Sequence, residues 1–234
     1  METQKTKEIY SSMKKVWPDN NIWYSYLQTQ IVKYIELNLA PALSENDIYL
    51  NAGSGGSTYN LPGTCYHVDI ASNLIQNIPN SFIASIEKMP FSSSVFDAII
   101  CVGSVINYCS ALESLAEFSR TIKKGGILIL EFERSQSAEL WLTKDFGKNA
   151  TLQQYDYLGN IHTLWLYSES YISNLLVQNY FKIINKSRIH SMSAILNKIT
   201  HNEHYAGKFG RFDNLMRPIS YITAHNVIMI CQKI

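Results

Sequence analysis

A glycine-rich turn directly after a short apolar run is the stretch of the chain best suited to hold a ligand. The run Ile48–Ala52 leads into Gly53-Ser54-Gly55-Gly56-Ser57, and residues without a Cβ atom let a ligand lie against the backbone. Asp69 follows at the end of a second apolar run, Tyr66-His67-Val68. A carboxylate at that point can accept hydrogen bonds from both hydroxyls of a ribose. The same pattern is also typical of an ordinary loop that ends a strand, so both interpretations stay open at this point.

The elements around this turn alternate between strand and helix, as in a parallel α/β sheet. Predicted strands cover residues 48–52, 66–69, 82–86, 96–102, 127–132, 181–189 and 221–231, and predicted helices cover residues 71–77, 112–122, 170–179 and 194–202. The stretch from Gly53 to Asp69 is too short for a full crossover helix, and Pro62-Gly63 interrupts it. We therefore predict an irregular turn there, whose backbone amides would have to supply the donors for a ligand.

Two segments lie outside the predicted sheet. Residues 1–46 have apolar side chains at helical spacing, and we expect them either to pack on the domain or to form a lid over the ligand crevice. Residues 134–170 are rich in aromatic side chains, with Gly147 and Gly159 as turn points. Because a stretch this short cannot bury a core of its own, we expect a small cap insertion and a single domain over residues 1–234.

The composition is that of a globular protein with no polyanionic partner. The chain has 234 residues, of which 46% are hydrophobic and 17% charged, and 20 Lys and Arg balance 19 Asp and Glu. This balance argues against a nucleic-acid partner. The four cysteines include no CxxC pair, as expected of reduced thiols. The N-terminus has no apolar signal segment and no apolar run reaches the roughly 20 residues of a membrane span, so we expect a cytoplasmic protein without a membrane partner.

Several further segments follow the glycine turn and the acidic strand end in a specific order. They are Glu87-Lys88-Met89-Pro90-Phe91, then Phe96-Asp97-Ala98-Ile99-Ile100, then Lys123-Lys124-Gly125-Gly126 before an apolar strand. In this order and spacing the sequence resembles the class I S-adenosylmethionine-dependent methyltransferases, firmly over residues 47–133 and more loosely to residue 234. The resemblance implies a three-layer, Rossmann-like α/β fold with a seven-stranded, mostly parallel sheet and an antiparallel last strand. It also implies S-adenosyl-L-methionine as the cofactor, leaving as S-adenosyl-L-homocysteine.

The resemblance places the cofactor across the carboxyl ends of the first strands. In such proteins the glycine turn faces the methionine part, Asp69 faces the ribose, and the residues after the fourth strand border the sulfonium. This sequence departs from the family at Asn51, where an acidic residue is common, at Ser57, where a further glycine is common, and at Ser85, where Asp is frequent. The implied cofactor-binding residues are Asn51, Gly53, Ser54, Gly55, Asp69, Ile70, Ile86, Glu87, Val102 and Gly103.

Methyl transfer from a sulfonium is an in-line displacement, which requires alignment of the nucleophile and removal of its proton. Side chains at strand ends beside the methyl group are the candidates for both tasks. We expect His190, Glu133 and Tyr108 to be catalytic, with either His190 or Glu133 as the proton acceptor. The expected substrate-binding residues are Tyr24, Asn107, Tyr108 and Arg134. Each of these side chains also has a purely structural interpretation, such as capping a helix or lying in the core.

The acceptor is predicted to be a small molecule or a peptide, methylated on oxygen or nitrogen. The Asn-Pro-Pro-aromatic signature of amino-group methylation on nucleic-acid bases is absent, and the corresponding segment reads Gly103-Ser104-Val105-Ile106-Asn107-Tyr108. No metal is required, and His201-x-x-His204 lacks a third ligand at suitable spacing. Two alternatives remain open. One is transfer of another group, aminocarboxypropyl or carboxymethyl, from a cofactor of the same type; the other is a non-catalytic binding or regulatory subunit.

Overall fold

The computed structural model describes residues 2–13, 15–18, 20–157 and 159–234, which form a seven-stranded sheet and a separate two-stranded hairpin together with helices. The strands are β1 (Ile48–Ala52), β2 (Thr64–Asp69), β3 (Ser81–Ile83), β4 (Phe96–Cys101), β5 (Ile122–Glu133), β6 (Ala150–Tyr157), β7 (Asn160–Tyr167), β8 (Phe181–Ile189) and β9 (Asn226–Lys233). The α-helices are α1 (Glu2–Ser12), α2 (Ile22–Leu39), α3 (Ser72–Ile75), α4 (Ala111–Thr121), α5 (Glu169–Gln178), α6 (Ser191–Thr200), α7 (Glu203–Gly207) and α8 (Ser220–Thr223). None of these helices is both long and apolar enough to cross a lipid bilayer.

The large sheet has the strand order β3-β2-β1-β4-β5-β9-β8. The strands β3, β2, β1, β4 and β5 are parallel, whereas β9 runs antiparallel between β5 and β8. This arrangement confirms the predicted Rossmann-like α/β fold with a mostly parallel sheet and an antiparallel last strand. Because the carboxyl ends of β1, β2 and β4 lie at one edge of the sheet, the loops that follow these strands converge there.

Alternate residues of the central strands build a hydrophobic layer on each face of the sheet. Leu128 and Leu130 of β5 belong to the layer that also contains α4 and α5, and Ile129 between them belongs to the opposite layer. All three side chains are fully buried, as expected of a strand covered on both faces. The second layer is completed by α2 through buried side chains at helical spacing, which are Leu27, Ile31, Ile35 and Leu39.

The sequence predicts most of the strands within a few residues. The bounds of β1 and β8 are those predicted, and the stretch between β1 and β2, which is described throughout, contains no helix. The predicted turn at residues 123–126 lies instead inside β5 as a bulge, because Phe96 pairs with Ile122 and Ala98 with Ile127. Between these two pairs, residues 123–126 of β5 lie opposite the single residue Asp97 of β4, so β5 carries three extra residues.

Two predicted strand ends are wrong. β3 ends at Ile83 and not at residue 86, because Ser85 begins a turn in which its carbonyl accepts a hydrogen bond from the Lys88 amide at 3.1 Å. β9 begins at Asn226 and not at residue 221. The segment before it contains Pro218, whose ring favours the first turn of a helix, and a short 3-10 turn there leads into α8.

The N-terminal segment and the hairpin pack next to each other. α1 contacts both α3 and β7, and β6 and β7 pair in antiparallel register within the predicted insertion. Met1, Lys14 and Asp19 of the predicted helical segment, and Leu158 of the predicted insertion, lie outside the described residues. The roles of the two segments as lid and cap stay predictions.

Candidate functional site

A crevice of about 820 Å³, partly open to solvent, lies at the carboxyl ends of β1, β2 and β4, and is named here the glycine-loop crevice. All of the predicted cofactor-binding residues except Glu87 line it, namely Asn51, Gly53, Ser54, Gly55, Asp69, Ile70, Ile86, Val102 and Gly103. The N-terminal segment contributes Tyr10, Val16 and Trp17 to its wall.

The loop after β1 has a backbone that requires glycine at two positions. Gly53 has φ +70°, and a Cβ atom there would lie 2.3 Å from Val105 Cγ1. Gly55 has φ +51°, and a Cβ atom there would lie 2.6 Å from Val16 Cγ2. Both positions combine left-handed backbone with a close neighbour, so any side chain would cause strain and a clash.

The backbone amides of this loop donate hydrogen bonds inside the protein. The Gly53 and Ser54 amides donate to the Val68 carbonyl, at 2.8 and 3.1 Å, and the Gly55 amide donates to Asp69 Oδ2 at 2.7 Å. The expectation that these amides supply the donors for a ligand is therefore wrong. They are taken up because the loop folds back on the end of β2.

Asp69 combines burial with remaining hydrogen-bonding capacity. Its two oxygens each accept one backbone amide, Oδ2 that of Gly55 and Oδ1 that of Ala71, at 2.7 and 2.8 Å. Burial raises the pKa of Asp69, and these amide donors act against the rise. Because each carboxylate oxygen has two lone pairs, each can accept one further hydrogen bond. The carboxylate can therefore bind two adjacent hydroxyl groups, as predicted for a ribose.

Glu87 has a structural position beside the crevice and does not line it. One of its oxygens accepts the Ser110 amide at 2.7 Å, before the first turn of α4, and the other accepts the Ser85 hydroxyl at 3.0 Å. From the predicted adenine-reading stretch, Ser85 and Ile86 line the crevice. The carboxylate of Glu87 instead fixes the loop that carries them.

A second chamber of about 710 Å³ adjoins the glycine-loop crevice. The two cavities share wall residues, which are Tyr10, Val16, Trp17, Gly103 and Tyr108. The rest of the wall of the second chamber comes from α2, the end of β5, the start of β9, the β6–β7 hairpin and α7. A molecule in the second chamber would therefore meet one in the crevice across Gly103 and Tyr108. Three of the predicted catalytic and substrate-binding residues line it, which are Tyr24, Tyr108 and Glu133.

A buried carboxylate holds the backbone at the junction of the two cavities. Glu131 of β5 accepts the amides of Gly103 and Ser104 through one oxygen, both at 2.8 Å. Its other oxygen accepts Asn226 Nδ2 at 2.7 Å. Burial raises the pKa of Glu131 to about 7, and the hydrogen-bond donors act against the rise. These bonds fix the turn after β4 against the ends of β5 and β9.

A histidine between two glutamates forms the polar end of the second chamber. His225 Nε2 lies 3.4 Å from a carboxylate oxygen of Glu133, and His225 Nδ1 contacts Glu139. Burial alone would lower the pKa of His225, but the charges of Glu139 and Glu133 raise it well above its usual value. Burial alone would raise the pKa of Glu139, but the charge and hydrogen bond of His225 hold it below its usual value. His225 is therefore a cation at neutral pH, with both ring nitrogens facing carboxylates.

Glu203, the first residue of α7, places a further carboxylate in the wall of this chamber. The Tyr24 hydroxyl donates to Glu203 Oε2 at 3.3 Å. Burial raises the pKa of Glu203, and the negative charges of Glu139 and Glu133 raise it further. Tyr24 and Glu203 together close the side of the chamber formed by α2 and α7.

Aromatic side chains supply much of the remaining wall. Tyr10, Tyr108 and His162 pack edge to face, with ring centroids 5.7, 5.6 and 5.8 Å apart. Tyr108 Oη lies 3.1 Å from His162 Nδ1, within hydrogen-bonding distance. The other aromatic residues of the wall are Trp17, Trp23, Tyr24 and Tyr155. The chamber thus combines an acidic end with an aromatic lining.

His190, predicted to be catalytic, lines neither cavity. It is fully buried, its ring stacks on Trp23 with centroids 4.0 Å apart, and its Nε2 lies 3.1 Å from the Trp23 carbonyl oxygen. Burial lowers its pKa to about 3. His190 directly precedes α6, and its backbone amide donates to the carboxylate of Asp213. His190 therefore supports the indole of Trp23, and the histidines that line the chamber are His162 and His225.

Asn107 and Arg134, predicted to bind substrate, are buried and make structural hydrogen bonds. Asn107 Nδ2 donates to the Glu133 carbonyl and its Oδ1 accepts the Glu133 amide, both at 3.0 Å. The guanidinium of Arg134 donates to three backbone carbonyls in and after α8 and pairs with Glu169 at 3.5 Å. Neither residue lines the second chamber, but Asn107 fixes the backbone of Glu133, which does.

Sequence reasoning missed His225 and Glu203. Each lies in a short segment with no apolar periodicity, one before β9 and the other at the start of α7. The one available signal for His225 was its place before the antiparallel last strand, whose first residue lies at the same sheet edge as the ends of the parallel strands. His201 and His204 are exposed, and the described part of the chain has no cluster of three or more His, Cys, Asp or Glu suited to a metal ion.

Comparisons with known proteins show a matching family model and solved structures with the same fold. Residues 50–130 match the family model described as a methyltransferase domain. A crystal structure of a putative S-adenosylmethionine-dependent methyltransferase from Listeria monocytogenes is similar at 10% identity, with a TM-score of 0.61, 88% of this chain and 99% of that chain covered. The 1,6-didemethyltoxoflavin-N1-methyltransferase of Burkholderia thailandensis, with bound 1,6-didemethyltoxoflavin and S-adenosylhomocysteine, matches at 12% identity, TM-score 0.58, with 99% and 86% covered.

A third similar structure is the geranyl diphosphate C-methyltransferase of Streptomyces coelicolor A3(2), at 8% identity and a TM-score of 0.63, with 100% of this chain and 98% of that chain covered. At these identities the structures show a shared fold. No curated protein is similar enough in sequence to match the chain.

Proposed function

We propose a small-molecule acceptor for this chain, which is a class I S-adenosylmethionine-dependent methyltransferase. Its cofactor, S-adenosyl-L-methionine, supplies an electrophilic methyl group on a sulfonium and leaves as S-adenosyl-L-homocysteine. The proposal is that the glycine-loop crevice holds the cofactor, the second chamber holds the acceptor, and the methyl group passes to an oxygen or nitrogen of the acceptor. The observation that carries this proposal is the shared wall of the two cavities at Gly103 and Tyr108.

The residues of the crevice fit the cofactor. Asp69 keeps one lone pair on each carboxylate oxygen for the two ribose hydroxyls. The absent Cβ atoms of Gly53 and Gly55 make room for Val105 and Val16, two side chains of the crevice wall. Apolar wall residues, Ile70, Ile86 and Val102, suit a flat purine and the carbon chain next to the sulfur. These features support the assignment of Asp69, Ile70, Ile86 and Val102 to the cofactor.

We assign Glu133 as the group that takes the proton lost by the acceptor on methylation. It lines the second chamber, its backbone is fixed on both sides by Asn107, and its carboxylate faces His225. His225 Nε2 lies 3.4 Å from this carboxylate and orients it at the polar end of the chamber. Tyr108 lies at the junction of the cavities, where a side chain can align the acceptor with the methyl group.

The enclosure of the chamber favours a small molecule over a peptide. Side chains of the N-terminal segment, α2, the β6–β7 hairpin and α7 all contribute to its wall, which makes it concave, as small-molecule sites are. The four cysteines are free, which supports the reducing environment of the cytoplasm as the place of action.

The first test is the effect of Asp69→Ala on affinity for S-adenosyl-L-homocysteine, measured by isothermal titration calorimetry. The variant loses two hydrogen bonds to a charged group, each contributing about 1.5 kcal/mol or more, so we expect roughly hundredfold weaker binding. Asp156→Ala, at an exposed position near the end of β6, is the matched control and should bind like the wild type. A wild-type protein that fails to bind the homocysteine product, or an Asp69→Ala variant that binds it normally, would contradict the proposal.

The second test identifies the group that is transferred. The wild-type protein is incubated with S-adenosyl-L-methionine and a library of small metabolites, and the products are examined by mass spectrometry. We expect a mass gain of one methylene unit on one acceptor, with S-adenosyl-L-homocysteine released. A product carrying the larger aminocarboxypropyl or carboxymethyl group would instead support the corresponding alternative.

A further inference from the structure

The charged side chains of the second chamber are unbalanced toward negative charge. Glu133 and Glu203 line the chamber, and Glu139 lies behind His225. The described wall residues include no lysine or arginine, and their two histidines are His162 and His225. Carboxylates therefore outnumber cations at the polar end of the chamber, in a region largely shielded from solvent.

His225 has no capacity left to bind an anionic acceptor. Its two ring nitrogens already face carboxylates, Nδ1 that of Glu139 and Nε2 that of Glu133 at 3.4 Å. Because an imidazolium has two N–H donors, both of them are directed at these groups. A carboxylate or phosphate on the acceptor would meet the negative charges of Glu133 and Glu203 and lose its hydration without a compensating partner.

The rest of the wall suits a positively charged group on an apolar body. Indole and phenol rings attract cations through the negative faces of their π systems. The aromatic wall contains Trp17, Tyr24, Tyr108 and Tyr155. These rings also provide apolar contact area for the remainder of a ligand.

We propose that the acceptor is an organic amine, which binds as an ammonium ion near Glu133 and Glu203 with its apolar body against the aromatic wall. This inference rests on the proposed function, because it assigns a substrate class to the second chamber. It is consistent with the crowding of like charges around Glu203, since burial and two neighbouring carboxylates raise the pKa of its side chain. A bound cation would relieve that repulsion.

The experiment compares molecules that share one body and differ in charge. Tryptamine, the neutral tryptophol and indole-3-acetate form one series, and phenethylamine, 2-phenylethanol and phenylacetate form a second. Each is titrated into the full chain in the presence of saturating S-adenosyl-L-homocysteine, and binding is measured by calorimetry. We expect the amine of at least one series to bind about tenfold tighter than its alcohol, the factor that one hydrogen bond to a charged group supplies. The acid should bind weakest.

Variants connect the preference to the named carboxylates. Glu203→Gln keeps the size of the side chain and removes its charge, so the amine should bind about tenfold more weakly while the alcohol is unaffected. Glu203→Asp keeps the charge and should keep the preference for the amine. Glu45→Gln makes the same change in net charge at an exposed position before β1, at the opposite edge of the sheet, and should behave like the wild type.

The outcomes separate this inference from the proposed function. If S-adenosyl-L-homocysteine binds normally, three results would overturn the amine assignment. They are equal affinities within both series, tighter binding of the acids, and no binding of either amine. The role of Glu203 would be overturned by a Glu203→Gln variant that binds S-adenosyl-L-homocysteine normally and still prefers the amine. Failure of the wild-type chain to bind S-adenosyl-L-homocysteine would count against the proposed function itself.

Discussion

Glu139→Gln is expected to destabilise the protein by about 3 kcal/mol near pH 6. The substitution keeps the shape of the side chain but removes the charge that contacts His225 Nδ1 inside the protein. Breaking one partner of a buried ion pair commonly costs about 3–5 kcal/mol, because the remaining charge is left without its partner. His225 keeps Glu133 at 3.4 Å. We therefore expect a loss at the lower end of that range.

The pH dependence of this loss follows from the directions of the two pKa shifts. The pKa of His225 is raised above its usual value of 6.5, so its contribution to stability is complete below about pH 6.5 and is lost as pH rises through the raised value. The pKa of Glu139 is lowered from 4.5, so its contribution is complete above about pH 4.5 and is lost as pH falls through the lowered value. The Glu139–His225 pair thus stabilises the wild type most between about pH 4.5 and about pH 6.5.

In the variant, His225 loses the largest influence that raises its pKa, which is the charge of Glu139. Its pKa should fall toward 6.5, so the loss of stability on the alkaline side should be smaller and should be complete at a lower pH than in the wild type. The difference between the two proteins should shrink at low pH, where Glu139 of the wild type also becomes protonated.

Urea denaturation at intervals from about pH 5 to about pH 9 measures the free energy of unfolding of both proteins. The His225 pKa is followed independently through the imidazole nitrogens by NMR. Glu45→Gln, at an exposed position, is the control for the change in net charge. If Glu139→Gln is as stable as the wild type near pH 6, or if the pKa of His225 does not fall, the coupled Glu139–His225 pair is not the source of stability inferred here.

Two further substitutions test the loop and the core around the site. Gly53→Ala should lower the free energy of unfolding by about 3 kcal/mol, because left-handed backbone costs about 1–2 kcal/mol and a Cβ atom 2.3 Å from Val105 adds overpacking. Its control is Gly147→Ala, at φ +71° with nothing within 4 Å of the added Cβ, which should show only the backbone cost. Equal losses in the two variants, measured by urea denaturation, would exclude the clash. Arg134→Met should cost about 3 kcal/mol, because it leaves three backbone carbonyls without this donor and removes one of the three cations that pair with the buried Glu169, whereas exposed Arg217→Met should change stability by less than about 0.5 kcal/mol.

The fold could be predicted from the sequence because its central strands are buried on both faces. Such strands appear as short, nearly continuous apolar runs, as in Phe96–Cys101, and the run defines both ends of the strand. The prediction fails where hydrogen bonding and not burial ends an element. The start of β9 was placed too early because Tyr221 and Ile222 continue the apolar run, although both are exposed in α8.

The glycine-loop crevice could be predicted for a similar reason, since its residues lie in a few consecutive segments. The turn after β1 and Asp69 at the end of β2 are joined by direct hydrogen bonds, the Gly55 amide to Asp69 among them. The second chamber brings together α2, β5, α7 and the residue before β9. No local pattern connects Tyr24 with Glu203, because tertiary packing alone places them in contact.

The order of the strands in the sheet, and not the position of their ends, decides that His225 and not His190 lies beside Glu133. His190 follows β8, which runs in the same direction as β5, so its position at the ligand edge of the sheet was predicted correctly. The strand β9 lies between them, however, and Asn226 pairs with both Glu133 and Ile189. Neighbouring strands are about 4.8 Å apart, so His190 lies two strand spacings from Glu133, whereas His225 enters the adjacent strand. An antiparallel strand begins where its parallel neighbours end, and it therefore places its preceding residue, His225, at the edge of the sheet that carries the second chamber.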